Sequence, residues 1–165
     1  MRKTDLYIPK GKDCFDKNKR PCFKYQDKYE HIEIIYERLQ NNQEEFLMDG
    51  VAFEYFCADL LLIEGFKDIQ LTKASGDNGV DIIAHKNDKM YIFQCKCLSH
   101  TCSNKAIQEI VSANTIYKAN RLAVICNTDF SDQARMIASV NQVQLYNRGA
   151  IKHILDKYFC DFYDF

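Results

Sequence analysis

The segment Asp81-Ile-Ile-Ala-His-Lys-Asn-Asp-Lys-Met-Tyr-Ile-Phe-Gln94-Cys-Lys96 constrains the fold more than any other, because it reads as two apolar strands around a short polar turn. Ile82, Ile83, Tyr91, Ile92 and Phe93 are strand formers, whereas Lys86, Asn87, Asp88 and Lys89 are turn material. A hairpin centred on Asn87-Asp88 sets Lys86 opposite Lys89 and, counting outwards, Asp81 opposite Gln94, with Cβ atoms roughly 5 Å apart. Side chains alternate along a strand, so Lys96 joins Gln94 and Asp81 on one face while Cys95 and Cys97 point to the other. Ile83 and Ile92 belong to the same face as the three polar residues. Charged side chains normally sit in water. An apolar face that ends in a carboxylate, an amide and an ammonium therefore predicts a polar site at the edge of a buried sheet.

The remaining composition is that of a globular chain. Its 165 residues suffice for one core of ordinary size, with 47% hydrophobic, 13% aromatic and 27% charged residues. A formal net charge of −1 gives no global argument for a polyanionic partner. Local charge is less even: residues 1–30 hold nine Lys/Arg against five acids, and residues 85–121 six against two, which permits a phosphate-facing side. No apolar run follows Arg2-Lys3 and no stretch of about 18 uncharged apolar residues occurs, so neither a signal peptide nor a membrane span is expected, and the expected location is cytoplasmic. The eight cysteines include no Cys-x-x-Cys pair. They are expected to be reduced thiols, with Cys57, Cys95, Cys97 and Cys126 packing as small hydrophobes; His100 and Cys102 read as loop residues, with a contribution to a site as the other reading.

Taken in order, residues 1–26 are basic, contain both prolines and read as an irregular arm. A helix is expected from Asp27 to Leu39, and a second from Asp49 or Gly50 to Ile63 with Phe53, Phe56, Cys57, Leu60 and Leu61 buried and Gly65 as its C-terminal cap. Glu54 has two readings: a first-turn acid that interacts with the helix dipole, or a carboxylate leaning toward the polar site. Phe66 to Thr72 reads as a strand, and Lys73-Ala-Ser-Gly-Asp-Asn-Gly79 as a loop whose glycines permit close approach of a backbone or a phosphate. After the hairpin, Asn104 is expected to cap a helix from Lys105 to Tyr117, with Gln108 off its apolar stripe. Arg121 to Asn127 reads as a central strand, 131–139 as a helix, Val143 to Tyr146 as a strand and Gly149 to Tyr158 as a last helix. The fold class is α/β: a mixed sheet with helices on its faces. The aromatic tail 159–165 is expected to dock on its own domain or on a neighbour.

Phe53-Glu54, Gly65-Phe66, Gly76-Asp77-Asn78-Gly79-Val80-Asp81, Gln94-Cys95-Lys96, Ile107-Gln108-Glu109 and Phe130-Ser131-Asp132-Gln133-Ala134 together resemble the Mrr-like branch of the PD-(D/E)XK nucleases. The resemblance spans roughly residues 48–156. It implies a restriction-endonuclease-like core (αβββαβ), assigned to residues 48–158; the basic arm and helix of residues 1–47 have no counterpart in the resemblance, and residues 159–165 form the tail. It implies a magnesium-dependent endonuclease acting on DNA, with manganese as the expected substitute. Asp81 and Gln94 would hold the metal, Lys96 would stabilise developing charge and Glu54 would match the helix carboxylate of relatives. Lys73, Ser75, Asp77, Lys105 and Gln108 are the candidate nucleic-acid contacts. Gln94 departs from the commoner Asp or Glu: its amide oxygen can coordinate magnesium but brings no charge.

Two other functional readings stand beside the endonuclease: a nuclease-fold module that binds nucleic acid without cutting, and a Holliday-junction-resolvase-like enzyme. Homodimerisation, and a partner or specificity subunit acting through residues 1–47, are the expectations for assembly.

Overall fold

The structure, a computed structural model, describes residues 50–72 and 79–163, without the side chains of Ala52 and residues 159–163. The arm and helix expected within residues 1–47, the loop residues Lys73, Ser75 and Asp77, and the docking of the tail lie outside the described residues.

Helix α1 (Gly50–Ile63) buries the expected stripe of Phe53, Phe56, Cys57, Leu60 and Leu61. It ends in a Schellman motif in which Phe66 N–H donates to Leu61 O and Gly65 N–H to Leu62 O, with Gly65 at φ +89°. Strand β1 (Lys67–Leu71) follows. It pairs antiparallel with β2 (Ile82–Lys86) across an irregularity between Lys67 and Gln70, where Asp68 has φ 51°. Strand β3 (Lys89–Lys96) pairs with β2 in the expected register, Lys86 opposite Lys89 and Ile82 opposite Phe93. Asn87 and Asp88 both have positive φ, the twist that a two-residue hairpin turn requires.

Helix α2 (Asn104–Tyr117) crosses over to β4 (Arg121–Cys126), and α3 (Asp132–Val140) crosses to β5 (Val143–Tyr146). Both new strands are parallel to β3, so the sheet runs β1-β2-β3-β4-β5 with an antiparallel half and a parallel half. The Ser131 hydroxyl accepts from Ala134 N–H and caps α3. Helix α4 (Arg148–Tyr163) closes the described chain.

Two apolar layers hold the sheet. One joins α1 and α4 to Ile82, Ala84, Phe93, Ala123 and Ile125; the other joins α2 and α3 to Ile92, Leu122, Val124 and Cys126. Fully burying each of the larger side chains contributes roughly 1.5–3 kcal/mol. Covering both faces makes β4 a near-continuous buried strand, as its sequence suggests. Among the described residues no helix is long and apolar enough to cross a membrane.

Three expectations need correction. Asn104 is the first residue of α2 rather than its cap; Ser103 occupies the cap position, with no side-chain bond to the helix. Helix α4 runs to Tyr163 instead of stopping at Tyr158, because no glycine or proline after Ala150 interrupts it. Cys102 is not a plain loop residue: it is buried and pairs with Phe130 in an isolated bridge.

Candidate active site

Because β2 is antiparallel to β3 while β4 runs parallel to it, the start of β2 and the end of β3 share one edge of the sheet. Asp81 stands just before β2. Its N–H donates to Phe93 O at 2.8 Å, and its Oδ2 accepts from Cys95 N–H at 2.7 Å. The acid is thereby tied to the main chain of the strand that carries Gln94 and Lys96. Helix α2 crosses above that strand and turns one flank toward it. Lys105, Gln108, Glu109 and Ser112 recur at helical spacing and line an open cleft of about 750 Å³ together with Glu54, Gly79, Asp81, Gln94, Cys95 and Lys96.

The candidate residues Glu54, Asp81, Gln94, Lys96, Lys105 and Gln108 thus meet in one cleft, while Lys73, Ser75 and Asp77 lie outside the described residues. Glu54 is not in the first turn of α1, which contains no acid, so its reading as a dipole partner gives way to its place in the cleft wall.

Glu109 was not singled out as a site residue by sequence reasoning, yet it organises this end of the cleft. Its Oε2 accepts from Gln94 Nε2 at 2.6 Å and lies 3.2 Å from Lys96 Nζ; its Oε1 lies 3.9 Å from Lys105 Nζ. Burial alone raises the Glu109 carboxyl, but the Gln94 hydrogen bond and the two ammoniums outweigh it and hold the acid below the usual carboxylate range. The available signal was the 105/108/109/112 spacing, which marks a polar flank beside the buried stripe of Ala106, Ile107, Ile110 and Ala113.

Gln94 is only 3% exposed, and its Oε1 is buried with no hydrogen-bond partner among the described residues. A carboxylate can only accept, so the contact with Glu109 fixes the nitrogen on that side and the oxygen on the other. An orphaned buried acceptor costs about 1–3 kcal/mol unless a ligand satisfies it. Asp81 and Gln94 are hard oxygen donors suited to magnesium, and Glu54 lines the same space. Among the described residues no three His, Cys, Asp or Glu side chains are grouped to hold a metal. Three carboxylates (Glu54, Asp81, Glu109) face two ammoniums (Lys96, Lys105), an excess of one negative charge that a divalent cation reverses. Burial pushes the Cys95 thiol well up, with further contributions from Cys57, Asp81 and Glu54, so it contributes no thiolate.

Gly79 is fixed from both sides. Its φ is +83°, and a Cβ there would stand 3.3 Å from Glu109 Cβ and 3.7 Å from Gln94 Nε2. Gly79→Ala is expected to cost roughly 1–2 kcal/mol from backbone conformation and to push Glu109 away from its partners. Thermal denaturation alongside a cleavage assay checks this, and an unchanged melting temperature contradicts it.

The fold and this cleft define a restriction endonuclease-type domain. Residues 47–155 match the restriction endonuclease family model Mrr_cat, well over half of the chain, and the chain belongs to that family. Among solved structures it is similar to the MspJI restriction endonuclease in complex with a 27-mer oligonucleotide (16% identity, TM-score 0.51, covering 96% of this chain and 39% of that one). It is also similar to the DNA modification-dependent restriction endonuclease AspBHI (15% identity, TM-score 0.50, covering 94% and 44%). A protein of unknown function, AF1548, shares the fold at 18% identity and TM-score 0.50, covering 57% and 55%. The chain therefore spans little more than half, or less, of each of these proteins. No curated protein matches it.

Proposed function

We propose that the chain is a magnesium-dependent DNA endonuclease whose catalytic group is Asp81, Gln94 and Lys96, with Glu54 completing the cleft. The observation that carries this reading is the buried Gln94 Oε1, without a hydrogen-bond partner among the described residues, in the same cleft as Asp81 and Lys96. Membership of a restriction endonuclease family supports it.

A bound divalent cation would supply Lewis acidity for a phosphoryl oxygen and for water. Asp81 and Gln94 would hold it, and manganese is expected to replace magnesium. The Lys96 ammonium, beside Glu109, is placed to offset the charge that develops on the phosphate. Lys105, with 81% of its side chain exposed, is suited to a phosphate contact that sets register without reading bases. Gln108 on the same helix flank is a further proposed contact, and Lys73, Ser75 and Asp77, outside the described residues, are proposed with it. We assign the nuclease to residues 48–158 and the choice of target to residues 1–47, a second copy or a separate subunit.

The test is direct. Purified full chain should nick or linearise supercoiled plasmid with magnesium or manganese and lose this activity in EDTA. Salt-sensitive DNA binding with no cleavage under either ion, retained in Asp81→Ala, would instead identify a binding module. Preference for a four-way junction over linear duplex would assign the resolvase-like substrate.

A further inference from the structure

We infer that Glu109 and Gln94 act as one unit in which Glu109 aims the Gln94 amide oxygen into the cleft and lends it the negative charge a glutamine lacks. This deepens the proposed function and rests on its reading of the cleft as a divalent-cation site.

Three observations converge. Gln94 Nε2 donates to Glu109 Oε2 at 2.6 Å, a short contact for an N–H donor, while Oε1 of the same amide is buried with no partner among the described residues. The Glu109 oxygen is itself held, 3.2 Å from Lys96 Nζ, so one carboxylate oxygen fixes two side chains of β3 at once. Gly79 borders both partners: a Cβ there would stand 3.3 Å from Glu109 Cβ and 3.7 Å from Gln94 Nε2, so a side chain at this position would crowd the pair.

The amide chemistry then has a direction. A strong hydrogen bond from Nε2 to a carboxylate shifts amide electron density from nitrogen toward oxygen, so Oε1 becomes more negative and a better ligand for a hard cation. An outer carboxylate that fixes and polarises an inner ligand commonly contributes 10- to 100-fold in metal affinity. The same contact explains why glutamine suits this position. An ionised glutamate there would set two carboxylates about as close as the present donor and acceptor, and like charges so placed disfavour joint ionisation. The charge found at the strand position in commoner sites is, in this chain, on the crossing helix. Glu109 is accordingly a positioning residue.

Manganese affinity of the full chain, measured by electron paramagnetic resonance and calorimetry, tests the pair without reference to turnover. Glu109→Gln is expected to weaken binding about 10- to 100-fold, because the new amide no longer dictates which way Gln94 faces and contributes no charge. Adding Gln94→Glu in the Glu109→Gln background returns the charge to the strand and is expected to recover affinity to within a few-fold of wild type. Circular dichroism melting of each variant separates loss of fold from loss of binding. Wild-type affinity in Glu109→Gln, or a folded double variant that recovers none of the loss, overturns the inference while leaving Asp81-dependent binding intact. Absence of manganese binding in the wild type, or full binding in Asp81→Ala, overturns the cation site and this inference with it.

Discussion

Asp81→Asn is expected to lower the rate of plasmid nicking by about a thousandfold, roughly 4 kcal/mol of transition-state stabilisation, with the melting temperature within a few degrees of wild type. The asparagine side chain keeps an oxygen that can accept from Cys95 N–H, so the tie between the start of β2 and the end of β3 survives. What it loses is the negative charge, in a cleft where the neighbouring polar side chain, Gln94, is already neutral. Asp81→Ala removes both, and its lost charge-assisted hydrogen bond is expected to cost a further 1.5–3 kcal/mol or so of folding stability. Comparing the two variants separates chemistry from architecture. Nicking by Asp81→Asn at the wild-type rate would remove Asp81 from the reaction.

A second large effect is expected at a residue that does not line the cleft. Asp59 lies in the middle of α1, fully buried, with neither carboxylate oxygen hydrogen bonded among the described residues. Burial pushes its carboxyl from 3.8 up to about 8. Between those values the folded chain holds a proton that the unfolded chain has released. The contribution of Asp59 to stability is therefore complete below pH 3.8 and is lost as pH rises toward 8. One proton corresponds to a slope of about 1.4 kcal/mol per pH unit inside that window. Urea denaturation at pH 5, 6, 7 and 8 should show wild-type stability falling more steeply with pH than that of Asp59→Asn. Asp59→Leu, which replaces an unsatisfied acid by an alkyl group of similar volume, should be the more stable variant at pH 8. Parallel profiles for wild type and Asp59→Asn would show that the carboxyl is not held protonated in the fold.

Much of the site could be read from the chain because one turn fixes so much. Once Asn87-Asp88 is the hairpin turn, a period of two places Asp81 against the Gln94 end of β3 and sends Cys95 to the opposite face. The observed pairing of Ile82 with Phe93 is that register. Glu54 was reached through family resemblance, since helical spacing alone left it equally readable as a dipole partner. Glu109 was missed for a different reason. The polarity of α2 marks a flank, but which strand the flank crosses depends on how the Ile107 and Ile110 side of the helix docks, and that is decided by packing between residues distant in sequence. The irregular pairing of β1 at Asp68 had no signal either, because a single residue of positive φ in a short polar strand leaves no periodic trace.

The hydrogen bond from Cys95 N–H to Asp81 bears on how such a domain diversifies. With the acid tied to the main chain of the neighbouring strand, its position is set within the sheet itself. Changes elsewhere around the cleft can therefore accumulate over generations without releasing Asp81 from the strand that carries Gln94 and Lys96.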